Sequence, residues 1–251
     1  MAGSAAAVCP VVPAFEVEFT GSDGSCCRGR LGELWSTPFE RVIPVRSFPS
    51  FRGQVSFSGL YYAATMDAHV GFESWLERDV AMMLDFDPEV VRFSSQPFWL
   101  VWAQGGEQRR HVPDYFARLA DGMGVVIDVR PDDRIEPRGA EAFAATERAC
   151  REAGWVFRRT AGPGAMLAAN VRWLAGYRHW RCYRGEMAGL LTGVFAEPKP
   201  LIAGAREAGD PLGVLPVLYH LLWKQVLSAD VTAGLLGPGS VVGVNQEGTG
   251  R

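Results

Sequence analysis

Apolar and polar positions alternate near the start of the chain. Phe15, Val17 and Phe19 interleave with Glu16 and Glu18, the turn-rich GSDGS comes next, and a second run leads to Trp35 and then RVIPV. Period-2 alternation around a Gly/Ser/Asp turn predicts a β-rich entry segment over 14–48, behind a frayed small-residue tail at 1–12. FPSFRGQ reads as a loop, and SFSGLYYAATM (56–66) as extended and aromatic. The period then changes: ESWLERDVAMMLDFDP (73–88) is an amphipathic helix stopped by Pro88. Strand-like runs come next at 90–94 and 97–102, and DYFARL with GVVIDV makes a hairpin around ADGMG. Pro137 opens a helix that Gly154 closes, and WVFRR (155–159) is the next strand. Helix, strands, helix, strand predicts an α/β or α+β layered domain. After GPG (162–164) the pattern is helical at 170–180, 186–196 and 214–225. VLSADV, a helix-like TAGLL, a strand-like SVVGV and a disordered NQEGTGR close the chain.

The expected division is a β-rich segment at 1–48, the α/β-layered domain at 49–165, and a small, mainly helical, winged-helix-like domain at 166–251. Length and composition allow this. The chain has 251 residues, 48% hydrophobic and 21% charged, which fits one or two globular domains with a real core and excludes a mainly disordered chain. Its net charge of −3 excludes a uniformly basic DNA-coating protein and leaves a local basic face open. No apolar run reaches the roughly 18 residues of a membrane span. The apolar start has no Lys or Arg ahead of it, against a secretory signal. Five scattered cysteines, two of them adjacent, fit no zinc spacing and predict reduced cytosolic thiols, in the cytoplasm.

The strongest candidate chemistry lies in His111-Val112-Pro113-Asp114 and Asp128-Val129-Arg130. Asp128 and Arg130, two apart on a strand, point to one face, and Asp114 opens the neighbouring strand of the same hairpin. Two carboxylates beside a cation form a hard oxygen cage for Mg²⁺, and the guanidinium can hold a phosphate oxygen. A surface ion pair worth about 0–1 kcal/mol accounts for the same spacing. On the 73–88 helix, steps of about 100° from Leu76 place Val80, Met83 and Leu84 in a buried stripe. Glu73 and Glu77 fall in or beside that stripe; Ser74, Arg78 and Asp85 fall opposite. An acid on a core-facing edge is unfavourable unless it is paired or coordinated, so a Glu–Arg edge pair stands beside the metal reading.

Between Glu152 and Glu186 there is no acid. This stretch holds Arg158, Arg159, Arg172, Arg178, Arg181 and Arg184, interleaved with Trp155, Phe157, Trp173, Tyr177, Trp180 and Tyr183. Such arginines are candidates to track a nucleic-acid backbone, while the aromatic residues read more readily as partial core. Walker and GxGxxG loops are missing, the four histidines show no ligand spacing, and Cys150 reads as core rather than nucleophile.

An ordered set of segments carries a resemblance: GQVSFSGLYYAATMDAHVGFESWLERD, FDPEVVRFSSQPFWL, RRHVPDYF, VVIDVRP and ANVRWLAGYRHWR. Together they resemble the TnsA-like endonuclease subunit of bacterial heteromeric transposases, over about residues 42 to 181 and more faintly into VLPVLYHLLWKQVLSADVT. The resemblance implies a restriction-endonuclease-like fold of the PD-(D/E)-x-K superfamily, whose core is helix, three-stranded meander, helix, strand. It implies a helix acid at Glu77, in a Ser-x-x-Glu pattern, with Glu73 as the alternative. It further implies metal ligands at Asp114, Asp128 and the Val129 carbonyl, with Mg²⁺ or Mn²⁺ as the ion. The catalytic Lys of the family falls on Arg130. Arginine stays charged and cannot serve as a base, but it can orient water and stabilise charge.

The activity implied by the resemblance is that of an Mg²⁺-dependent DNA endonuclease that hydrolyses one strand at transposon ends. Its expected partners are DNA, an integrase-type transposase and an AAA+ ATPase regulator, with no membrane involved. The competing readings are a weakened or inactive DNA-binding and assembly subunit that keeps the nuclease fold, and a stand-alone repair or defence nuclease.

Overall fold

A computed structural model describes residues 15–47 and 57–245. The expected ragged start, the FPSFRGQ loop and nearly all of NQEGTGR lie outside those residues. The chain begins with the hairpin β1 (Glu16–Thr20) and β2 (Cys26–Arg30), then a single turn of helix, α1 (Leu31–Leu34). Phe15, Val17 and Phe19 are buried, while Glu16 and Glu18 face outward and pair with Arg28 at 2.7 and 2.8 Å. RVIPV is not a strand: the chain there forms a 3-10 turn over Phe39–Arg41 and one isolated bridge, Thr20 to Ile43.

The extended aromatic segment is β3 (Gly59–Ala63), paired with a strand the pattern did not suggest, β4 (Ala68–Phe72). Next comes α2 (Trp75–Phe86), capped at Ser74. The strands β5 (Val90–Ser95), β6 (Trp99–Gln104), β7 (Glu107–His111), β8 (Tyr115–Leu119) and β9 (Gly124–Val129) precede α3 (Pro137–Ala153) and β10 (Val156–Thr160). β7 is hidden in the sequence because EQRRH is an edge strand of mostly exposed residues and carries no apolar alternation. The β8–β9 turn and the ends of α3 form as the sequence predicts. Gly122 takes a φ of +89° at the hairpin, and Gly154, at +71°, is the left-handed cap of α3.

These strands do not form one sheet. The order β10-β9-β8-β5 makes a central sheet, with β9 and β10 parallel and the other pairs antiparallel. The β6–β7 hairpin leaves that meander and joins the entry hairpin in a second sheet, β2-β1-β6-β7. Alternation along β8 and β9 sorts the core onto the two faces of the central sheet. Tyr115, Val125, Ile127 and Val129 pack beneath α2. Phe116 and Val126 face the other way, against Phe39, Phe98, Trp155 and the Ala145–Ala149 side of α3.

Beyond β10 the chain forms α4 (Ala165–Ala175), α5 (Gly185–Val194), β11 (Lys199–Pro200), α6 (Leu201–Ala208), α7 (Pro211–Trp223), β12 (Leu227–Ser228) and β13 (Val241–Val244). The three short strands form a small antiparallel sheet, β11-β13-β12. The apolar cluster beneath α2 continues without a break into Leu174, Leu191, Leu218 and Leu222. TAGLL is not helical. Asp230 accepts from the Thr232 and Ala233 N–H groups. The buried Asn170 amide donates to the Val231 and Gly234 carbonyls and accepts from the Leu236 N–H. Side chains thus supply the partners a helix would have supplied. The unpredicted α6 carries Gly204, where a Cβ would meet the Phe195 ring at 2.2 Å; close helix packing demands the residue that weakens the helical signal.

The wheel reading of α2 needs one correction. Asp85, placed opposite the buried stripe, is itself buried at 4% exposure because the β3–β4 hairpin covers that side of the helix. Its carboxylate accepts from the Tyr61 hydroxyl at 2.8 Å and from the Ala64 and Thr65 N–H groups at 3.0 and 2.8 Å. Asp85→Ala strands three donors. At about 1 kcal/mol each, unfolding should require about 3 kcal/mol less, seen as a lower urea midpoint at unchanged slope.

Candidate active site

The register of β8 and β9 sets the site. Tyr115 pairs with Ile127, so Asp114, one residue before β8, lies across from Asp128 on the same face. Asp128 is almost fully buried, at 2% exposure. Both its oxygens lie 2.9 Å from the His111 Nε2, which the end of β7 brings in from the other sheet. Asp114 accepts from the Val129 N–H at 2.6 Å, and its own carbonyl accepts from the Gln96 N–H. Each carboxylate is therefore fixed by one partner and keeps acceptor capacity free.

The helix acid stands at the start of α2. Ser74 accepts from the Glu77 N–H at 3.1 Å, and the Glu77 carboxylate reaches back to the Ser74 hydroxyl at 2.9 Å and the Glu73 N–H at 2.6 Å. This reciprocal cap explains the Ser-x-x-Glu spacing in structural terms and fixes Glu77 at the same time. The alternative acid, Glu73, is bound by Arg46 at 2.9 Å.

Glu77, Asp114, Asp128, Val129 and Arg130 line one cavity of about 700 Å³. His111 lines it too, as do Arg46, Arg110 and Arg134. Arg110 lies over the Trp99 ring, 4.3 Å from its centroid. Carboxylates form the floor and guanidinium groups the walls. Burial and then the neighbouring charges of Asp128 and Glu77 push the Asp114 carboxyl well above the ordinary carboxylate range, against the pull of the Val129 N–H and Arg130. Burial also raises Glu77, against the hydrogen bonds from the Glu73 N–H and the Ser74 hydroxyl; the Glu73 charge adds to the rise and that of Arg130 opposes it. Among the described residues Arg130 has no acid bonded to it, so its charge is available to the cavity. Cys150, behind Asp128 on α3, has its thiol pushed up to about 12 by burial and is a core residue, as expected.

The arginines proposed from the acid-free stretch do not line this cavity. Arg159 pairs with Asp132 at 2.7 Å. Arg172 binds the buried Asp79 carboxylate and ties α4 to α2. Arg178 donates to the Tyr62 carbonyl at 3.0 Å and lies over the Tyr61 ring. Arg158, Arg181 and Arg184 are exposed. Trp155 is core, whereas Trp173, Trp180 and Tyr183 are more than half exposed. Sequence reasoning missed His111 as a partner of Asp128, and Arg46, Arg110 and Arg134 as cavity walls. His111 was within reach, since it opens the same HVPD motif.

The site and sheet define a restriction-endonuclease-like domain. Residues 87–160 match the family model described as TnsA-like endonuclease N terminal. That match covers under a third of the chain; over it the chain is similar to the family, which points to a nuclease subunit of a transposase. The match runs from the end of α2 through β10, so it holds Asp114, Asp128 and Arg130 and stops short of Glu77. No curated protein matches the chain. No helix among the described residues is long and apolar enough to cross a membrane.

The donors fit a hard divalent cation. Among the described residues, no three His, Cys, Asp or Glu side chains form a ready-made cluster around one ion. Mg²⁺ does not require that, since it is commonly held by one or two carboxylates with water completing the octahedron. Asp114 and Asp128 would supply the carboxylates, and Asp114 is pushed up by burial first and by the charges of Asp128 and Glu77 second. The sign of that push gives a test. A carboxyl whose folded pKa exceeds its unfolded value of about 3.9 favours folding while protonated and opposes it as pH rises through that window. Without divalent metal, Asp114→Asn should raise the unfolding temperature at neutral pH, by about 2–4 °C per kcal/mol relieved. The gain should vanish as pH falls toward about 4.

Proposed function

We propose that the chain is a divalent-metal-dependent DNA endonuclease subunit of a heteromeric transposase, hydrolysing one strand at each transposon end. The carrying observation is the cross-strand placement of Asp114 and Asp128 in one cavity with Glu77 and Arg130. Asp114, Asp128 and the Val129 carbonyl would hold Mg²⁺ or Mn²⁺, with Glu77 reaching it directly or through water. A bound ion of this kind lowers the pKa of water and offsets charge on a phosphate under in-line attack.

The chain's own groups do the rest. His111 holds Asp128, and the Val129 N–H holds Asp114, so the carboxylates are aimed before DNA arrives. Arg130 faces the scissile phosphate and takes up charge as the five-coordinate state forms. It cannot accept the proton of the attacking water, which leaves that proton to a cavity carboxylate or to solvent. An integrase-type transposase would cut the other strand, and an AAA+ ATPase would regulate the assembly. The exposed Trp173, Trp180 and Tyr183 support partner or DNA contact by the helical segment.

Arg130 in the lysine position favours a second reading, a subunit slowed or silenced in cutting that keeps its place in the assembly. Nicking of transposon-end DNA with the partner transposase in Mg²⁺ and Mn²⁺ separates the two. Asp114→Asn and Asp128→Asn should abolish cutting. Arg130→Ala should lower it by about 10²–10³, the cost of losing one electrostatic stabiliser, and Arg130→Lys should preserve or raise it. Unchanged cutting by Arg130→Ala would remove that residue from the chemistry. No cutting by the wild-type assembly, with cutting restored by Arg130→Lys, would select the silenced reading.

A further inference from the structure

A second cavity, of about 360 Å³, opens beside the acidic one and shares His111, Arg110, Arg130 and Arg134 with it. Its far wall is Arg138 and Gly139 in the first turn of α3. All four arginines are exposed, and none has an acid bonded to it among the described residues. Glu136 is the acid in this lining, so four guanidinium groups face one carboxylate.

The start of α3 adds to that potential. Its N-cap, Glu136, makes no side-chain cap bond, and the first turn holds no acid. The early N–H groups therefore keep their capacity for an anion. A Cβ on Gly139 would touch only the Phe143 ring, at 4.0 Å, so the backbone there is open to close approach. The first cavity is mixed, with four carboxylates facing four arginines, three of which the two cavities share. Its carboxylates repel a phosphate strand, so the adjoining surface where arginine outnumbers acid is the better hold for that strand.

We propose that this cavity is a subsite for the DNA phosphodiester next to the scissile one, bound by Arg134, Arg138 and the start of α3 while Arg110 and Arg130 bridge to the acidic floor. The inference rests on the nuclease reading for its orientation. Its test needs no cutting.

The measurement is anisotropy of a labelled duplex oligonucleotide with the full chain in EDTA, titrated from about 50 to 200 mM salt. The double variant Arg134→Ala/Arg138→Ala should bind more weakly, and its log K against log salt slope should fall by about 1, one phosphate contact. Arg134→Lys/Arg138→Lys should recover most of the affinity. The control Arg148→Ala/Arg151→Ala removes the same charge from α3 but starts about 15 Å further along the helix, and should leave the slope unchanged. Equal losses in both alanine pairs would reduce the effect to net charge and overturn the subsite. So would wild-type DNA binding too weak to measure at the lowest salt. Saturable calorimetric binding of inorganic phosphate, with the alanine pair leaving DNA affinity unchanged, would reassign the cavity to a free anion and overturn it as well. If the slope falls as expected while the wild-type assembly never cuts, the subsite stands and the nuclease reading fails.

Discussion

Asp114 and Asp128 face each other across two neighbouring strands, with Glu77 close enough to add its charge. Like charges gathered in a half-enclosed cavity oppose folding unless something positive answers them. The surrounding structure is arranged around that constraint. The β6–β7 hairpin leaves the meander and returns His111 to Asp128. A backbone N–H on β9 answers Asp114, and the capping box of α2 answers Glu77. Four arginines, Arg46, Arg110, Arg130 and Arg134, stand on the walls. These partners hold the carboxylates in place, and burial, with the charges of Asp128 and Glu77 behind it, still keeps the Asp114 carboxyl above its ordinary range. A divalent cation would offset those charges.

The central sheet makes this arrangement possible because its two faces do different work. Tyr115, Ile127 and Val129 point into the apolar cluster beneath α2, and the Tyr115 hydroxyl donates to the Glu77 carbonyl at 3.1 Å. That contact couples the start of the helix to the strand that carries Asp114. The helical segment is tied to the same place from behind, since Arg172 on α4 binds Asp79 on α2. A partner acting on that segment would thus act close to the element that carries Glu77.

Part of this was legible in the sequence. Asp128 and Arg130 share a face by strand periodicity, and a tight hairpin puts Asp114 opposite Asp128, so local spacing sufficed. Glu77 came from Ser-x-x-Glu. The remaining wall residues were not legible because each comes from a different element: Arg46 before α2, Arg110 on β7, Arg134 after β9. Only the tertiary fold brings them together. The acid-free arginine stretch shows the converse. It is contiguous in sequence but is dispersed over β10, α4 and the turn before α5, and Arg172 and Arg178 hold the fold together. Asp85 shows the same limit, since a helical wheel sees one buried face while the β3–β4 hairpin covers a second.

The central claim is that the carboxylate cluster is a cation site, and calorimetric titration of Mg²⁺ into the DNA-bound chain addresses it most directly. Saturable uptake by the wild type, lost in Asp128→Asn, is the expected result. Equal heats from the two proteins, or no uptake by either, would contradict the account and leave Asp114 and Asp128 as a strained structural pair.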